Sequence, residues 1–207
     1  MVARPPLKVI IEASGDSAGR ATDARTSAQP GVAATAGAPG SQLTTRTGLS
    51  LLVRPVGPGD EPALAEFFTH VSPEDLHFRF LAGMREVGHD RLVAMTNVDH
   101  RQKENFLAFA EDGKTVVATA MLACDAALDT GEVAISVRAD YKHKGVAWEL
   151  LRHVARYAEA QGVRVLQSIE DRRNHQAIEL EEEQGFVAEA YPDDPTLILI
   201  RKQLRPR

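Results

Sequence analysis

The residue types best suited to chemistry are concentrated in residues 132–148, where Glu132 precedes Lys142, His143, Lys144 and Gly145. Their order reads as strand, turn and helix: an apolar run to Val137, a polar turn, then Gly145 followed by Val146 and Ala147. A helix N-terminus leaves backbone N–H groups unpaired and carries the positive end of the peptide dipole, so the junction suits an anionic phosphate. Gly145 permits close backbone approach, and Lys142 and Lys144 add positive charge. Two readings stay open on these residues alone. One is an anion site; the other is a glycine serving a strand-to-helix turn beside solvated lysines.

The elements that position this stretch are legible from apolar spacing and turn residues. Leu51, Leu52 and Val53 predict a first strand, stopped by Pro55 and the Pro-Gly-Asp turn at 58–60. Asp60 is expected to cap a helix carrying Ala63, Leu64, Phe67 and Phe68 at helical spacing. Ser72-Pro73-Glu74-Asp75 begins a second helix, with an N-cap serine, a proline at the first position and acids in the first turn. A short helix follows over residues 90–95. Strands over 106–110 and 115–122 flank an Asp-Gly hairpin signal, and residues 132–137 continue the sheet. A long helix opens at Gly145 with the stripe Ala147, Leu150, Leu151, Val154 and Ala158, and Gly162 closes it. Residues 163–169 read as a buried strand, 174–183 as a helix, and Phe186 onward with 196–200 as a final strand pair. The expected fold is α/β (α+β), a mixed, mostly antiparallel twisted sheet flanked by helices on both faces.

Residues 13–49 are dominated by Gly, Ala, Ser, Thr and Pro and offer little apolar surface to offset the entropy of ordering. The reading therefore divides the chain into a disordered tail over residues 1–47 and one domain over 48–207. Leu7, Lys8, Val9, Ile10 and Ile11 are the exception within the tail, fit for a short strand or a docking peptide.

Two motifs carry a family resemblance. Ile135, Val137, Ala139, Tyr141, Lys142, Gly145 and Ala147 follow the pattern apolar-x-Val-x-Pro-x-Tyr-Arg/Gln-x-x-Gly-x-Gly/Ala, with Ala139 in place of proline and Lys142 in place of Arg or Gln. Further on, Asn174, Ala177, Leu180, Gly185 and Phe186 match Asn-x-x-Ala-x-x-Leu-x-x-x-x-Gly-Phe. Over about 160 residues the sequence resembles the GNAT superfamily of acetyl-CoA-dependent N-acetyltransferases. Within it, residues 72–80 and 132–145 are most similar to the acetyltransferase domain of bacterial protein lysine acetyltransferases acting on acetyl-CoA synthetase.

The resemblance implies roles residue by residue. Backbone groups of Ile135 and Val137 would bond the pantetheine arm of acetyl-CoA as an added strand. Lys142 and the amides of His143, Lys144, Gly145, Val146 and Ala147 would hold the pyrophosphate. Asn174 would sit near the pantetheine or sulfur, a role that coexists with capping the last helix. Amine acylation requires a neutral nitrogen, and Glu132 stands where similar lysine acetyltransferases keep their glutamate base; its alternative is a strand-end glutamate facing solvent. Glu181 stands where many relatives place a tyrosine, so Glu181, Glu182 and Glu183 read as a solvated helix face. Tyr141 and Tyr191 are the remaining candidates for a general acid.

Composition narrows the function classes. Net charge is -5, and residues 48–207 hold 19 basic against 26 acidic side chains, which speaks against nucleic acid and for a cationic acceptor. No apolar run is long enough to span a bilayer, and the lone Cys124 suits a reducing compartment, so a cytoplasmic protein without a membrane partner is expected. Cys124 itself reads as a buried structural thiol, and Trp148 and Phe186 as core residues. The seven histidines show no metal-ligand spacing, and no metal is expected. The leading expectation is transfer of acetyl from acetyl-CoA to a primary amine. A protein lysine and a small amine are the acceptor alternatives, and a non-catalytic CoA-binding sensor or interaction module is the competing class.

Overall fold

The computed structural model describes residues 40–192 and 194–204. The segment at Leu7 to Ile11 and most of the expected tail lie outside them. Eight strands form one sheet: β1 (Ser41–Thr44), β2 (Ser50–Pro55), β3 (Lys103–Phe109), β4 (Val116–Cys124), β5 (Thr130–Val137), β6 (Val165–Asp171), β7 (Val187–Ala190) and β8 (Leu197–Gln203). Their spatial order is β1-β2-β3-β4-β5-β6-β8-β7. Every neighbouring pair is antiparallel except β5 with β6.

Among the described residues five α-helices flank the sheet: α1 (Glu61–Thr69), α2 (Pro73–Phe80), α3 (His89–Thr96), α4 (Val146–Ala160) and α5 (His175–Glu183). On one face α1, α2 and α3 bury Leu64, Phe67, Phe68, Leu76, Phe80, Leu92 and Met95 against Leu107, Phe109, Val116 and Met121. On the other, α4 buries Val146, Leu150, Leu151, Val154 and Ala158 against Phe106, Ala118, Ala120, Leu122 and Val133. β4 lies between these layers and is buried along its whole length, as its sequence, apolar but for Thr119, requires; the Thr119 hydroxyl donates to Asn105 Oδ1 at 2.6 Å.

Three details differ from expectation. The sheet begins inside the segment assigned to the tail. Ser41–Thr44 pairs with β2, burying Leu43, and Thr45 closes the hairpin by accepting from Leu49 N at 3.1 Å through its hydroxyl. One leucine at the right register gives this polar segment something to bury, which average composition does not reveal. Asp60 does not cap α1 with its side chain; its carboxylate accepts from Gly57 N at 2.7 Å and clamps the short 3-10 turn Pro58–Asp60. In α4 the buried stripe starts at Val146 instead of Ala147, because Gly145 sets the phase of the first turn. The cap at Ser72 is as expected, its hydroxyl accepting from Asp75 N at 3.1 Å.

Candidate active site

β5 and β6 pair only at Thr130 with Val165, Gly131 with Leu166 and Glu132 with Gln167. Beyond that point β6 continues on β8, β5 continues on β4, and the two strands part. The β6-facing backbone edge of residues 133–137 is therefore left without a strand partner, a geometry that an extended ligand can complete by strand-like hydrogen bonds. A cavity of about 250 Å³ occupies this divergence. It is lined along β5 by Val133, Ile135, Ser136 and Val137, and at the turn by Tyr141, Lys142, His143, Gly145, Val146, Ala147 and Trp148. α5 contributes Ala177, Leu180 and Glu181; α2 contributes Asp75, Phe78 and Arg79.

The turn is built to aim the first amides of α4 at that space. His143 and Gly145 both adopt left-handed backbone, with φ of 60° and 79°, which turns the chain sharply out of β5. Gly145 is required by packing as well as by φ: a Cβ there would lie 3.2 Å from the Cβ of Thr45. The close approach that demands glycine is thus that of the β1–β2 hairpin. The same hairpin fixes the turn from behind, since Thr47 Oγ1 donates to the Lys144 carbonyl at 2.9 Å and the Arg46 guanidinium stacks 4.0 Å over the Trp148 ring.

Most expected site residues converge here. Ile135, Val137, Lys142, His143, Gly145, Val146, Ala147 and Asn174 all line the one cavity, whereas Lys144 and Glu132 do not. Lys144 is exposed, its ammonium 4.7 Å from the Tyr141 ring centre. Lys142 is engaged by Asp75 at 2.8 and 3.0 Å, so its charge ties α2 to the turn. Asn174 makes no side-chain cap; its Nδ2 donates to Glu170 Oε2 at 2.8 Å. Glu132 is only 9% exposed on the last paired rung of β5, so the solvent-facing alternative does not hold.

Glu181 also departs from expectation. It is 7% exposed, accepts a 2.7 Å hydrogen bond from the buried Ser168 hydroxyl, and lines the cavity, while Glu182 and Glu183 are exposed. The signal was its place four residues after Ala177 and one after Leu180, on the inward stripe of α5. Arg79 was missed as well. It follows Leu76 by three, so it shares that residue's buried face, and it is 2% exposed. Burial pushes its pKa down to about 10, opposed by Glu132 and then Glu170, so the guanidinium remains charged at neutral pH.

Four buried side-chain polar atoms find no hydrogen-bond partner among the described residues: Arg79 Nε and Nη1, Ser136 Oγ and Trp148 Nε1. All belong to residues lining this cavity. Unsatisfied buried donors cost about 1–3 kcal/mol each and are rare, and here they extend along the cavity from the turn to α2. A long ligand with polar groups spaced along an apolar arm fits that pattern. Among the described residues there is no group of three His, Cys, Asp or Glu placed to hold a metal ion, and no helix is long and apolar enough to cross a membrane.

A parted strand pair, a glycine turn and a helix N-terminus in one cavity agree with sequence comparison, in which the model of the acetyltransferase (GNAT) family matches residues 66–186. The chain belongs to the GNAT acetyltransferase family. It is accordingly an acyltransferase. The chain is 28% identical over 159 residues to acetyltransferase PA5475 of Pseudomonas aeruginosa, covering 76% of this chain and 86% of that one. The GNAT domain of S. lividans PAT superposes with a TM-score of 0.74 at 23% identity, covering 79% of this chain and 96% of that one. The fold is also similar to that of yncA from Salmonella typhimurium, solved with its cofactor acetyl-CoA, with a TM-score of 0.60 at 20% identity over 76% of this chain and 95% of that one.

Proposed function

We propose that this GNAT protein transfers an acetyl group from acetyl-CoA to a primary amine, with Glu132 as the proton acceptor. The observation that carries the reading is the single cavity in which the open edge of β5, the first amides of α4 and a row of unsatisfied donors lie together. Ile135 and Val137 offer backbone groups to the pantetheine arm. The amides of His143, Gly145, Val146 and Ala147, beside Lys142 and Lys144, offer positive potential to the pyrophosphate. With the phosphates at the turn, an arm running from Val137 to Val133 covers about 13 Å of strand and brings the thioester to the point where the strands part. Glu132 is the next residue.

The acceptor attacks as the neutral amine and sheds a proton as nitrogen bonds to carbon, and a buried carboxylate one residue beyond the thioester position can receive it. Glu170 is the rival for this role because it lines the cavity, with Asn174 holding one of its oxygens. A second depression between α2 and the segment joining β7 to β8 is lined by His77, Asp171, Arg173, Tyr191 and Asp194. Asp171 is already paired with Arg173 at 2.7 Å, so it is the excess acid of the domain as a whole that favours a cationic acceptor, and a protein lysine meets that description as well as a small amine does.

The test is label transfer from acetyl-CoA to a panel of amines and cell proteins, repeated with Glu132→Gln and Glu170→Gln. Glu132→Gln should bind acetyl-CoA normally and lose about 10²–10⁴ in turnover. Turnover above half of wild type in Glu132→Gln with a collapse in Glu170→Gln would reassign the base. Acetyl-CoA binding without transfer to any amine would favour the sensor reading.

A further inference from the structure

Arg79 presents the largest unmet hydrogen-bonding capacity in the described structure. Its side chain is buried, Nε and Nη1 have no partner among the described residues, and Nη2 lies 3.9 Å from the Met121 sulfur, a weak acceptor. The guanidinium sits close enough to Glu132 and Glu170 to feel both carboxylates. It lines the same cavity as Val133 and Ile135. Met121 pairs with Ala134 on β5, so the guanidinium beside its sulfur lies toward the end of the cavity away from the phosphate-binding turn. A buried cation with two idle N–H donors is costly unless a ligand oxygen completes it.

We propose that Arg79 is a catalytic residue that donates a hydrogen bond to the acyl carbonyl oxygen of the donor thioester and stabilises the oxyanion formed there. This rests on the acetyl-CoA reading of the cavity. The amine nitrogen forms a bond to the carbonyl carbon while the C=O π pair moves onto oxygen, facing Arg79. The Glu132 carboxylate accepts the proton released from nitrogen. The oxyanion then re-forms C=O, the C–S bond breaks, and CoA leaves as the thiolate.

Arg79 feels the Glu132 and Glu170 carboxylates and also the Arg91 guanidinium. The group is balanced in charge, and an acyl carbonyl, neutral in the ground state, enters it without disturbing that balance. An oxyanion develops only as Glu132 becomes neutral by taking the amine proton, and the total charge around Arg79 is unchanged through the step. A preorganised donor in a closed site needs no reorganisation at that moment, which is where such groups exert their largest effect.

The experiment crosses two ligands with three proteins. Acetyl-CoA and S-ethyl-CoA, in which a methylene replaces the carbonyl, are titrated calorimetrically into wild type, Arg79→Lys and Arg79→Met, and turnover is measured with one fixed amine. Wild type should bind acetyl-CoA at least about tenfold more tightly than S-ethyl-CoA; Arg79→Met should lose most of that preference, and Arg79→Lys, which keeps a charged N–H donor, should retain part of it. Turnover should fall about 10²–10³-fold in Arg79→Met, the loss typical for one oxyanion donor, with CoA affinity retained as the sign of an intact fold. Equal affinity of wild type for acetyl-CoA and S-ethyl-CoA overturns the proposal without any variant, and so does an undiminished preference in Arg79→Met. Failure of wild type to bind either acetyl-CoA or CoA would instead remove the acetyl-CoA reading itself, and the Arg79 assignment with it.

Discussion

The β1–β2 hairpin turns a segment of tail-like composition into part of the fold, and Leu43→Ala measures how much it matters. Leu43 is 8% exposed, packed in the core layer beneath α4 with Leu51 and Val53. Replacing a buried leucine by alanine costs about 2–5 kcal/mol, the lower end applying where the surroundings can relax, as on an edge strand. A loss of about 2 kcal/mol lowers Tm by about 4–8 °C in a domain of this size. The control is the opposite edge of the sheet, where Val187 is 63% exposed and Val187→Ala should stay within about 0.5 kcal/mol. Thermal unfolding followed by circular dichroism distinguishes them. Limited proteolysis adds a second readout: the stable fragment should begin before Ser41, not between Thr44 and Leu51. If Leu43→Ala melts with Val187→Ala, β1 contributes nothing to stability and the hairpin is not part of the domain.

Gly145→Ala should cost about 1–2 kcal/mol for the left-handed backbone alone and more for the contact with Thr45, and calorimetry should show weakened acetyl-CoA binding. Gly113→Ala, at a φ of 66° with open space around it, should carry only the backbone cost and leave that affinity unchanged. Ser168→Ala strips a hydrogen bond from the buried Glu181 carboxylate and should cost about 1.5–3 kcal/mol in urea unfolding; Ser168→Ala with Glu181→Met should recover much of it, and no recovery would refute a purely local effect. The paired hydrogen bonds from Arg54 to Asp60, both 2.7 Å, hold the Asp60 carboxyl below its usual range, followed in effect by the Gly57 amide against the opposing cost of burial. Because the folded-state pKa is depressed, that stabilisation is present above about pH 4 and lost as pH falls through the folded value. Asp60→Asn should therefore shrink the stability gap between neutral and acidic solution, measured by denaturant midpoints.

Periodicity and turn chemistry made most of the fold legible. The serine cap at Ser72, the Asp-Gly hairpin at 112–113 and the α4 stripe each rest on neighbours close in sequence, so local spacing suffices to find them. β1 escaped because its contribution comes from one residue, Leu43, in a window otherwise made of small and polar side chains. Asp60 was misassigned for a related reason. Which N–H a carboxylate accepts depends on the path of the chain before it, and here Gly57 and Arg54 were nearer than the first turn of α1.

For the site, backbone geometry was far more readable than side-chain partnership. The turn at Gly145 follows from the strand-turn-helix pattern itself, whereas the open edge at Ile135 and Val137 was expected through the family resemblance and comes from the parting of β5 and β6. The charged residues do not work that way. Lys142 is answered by Asp75 from α2, Glu181 by Ser168 from β6, and Arg79 lies near Glu132 on β5 and Glu170 on β6. These partners are separated by 13 to 91 residues along the chain, so no window can show them. What sequence does reveal is the conflict: an arginine on the apolar stripe of α2 and a glutamate on the inward stripe of α5 both break the rule that buried faces are apolar. Each break lines the cavity, and each is a place where the chain accepts the cost of a buried charge. In an enzyme that must polarise a carbonyl and move a proton away from water, that cost is the physical condition for strong electrostatic interaction with the reacting atoms.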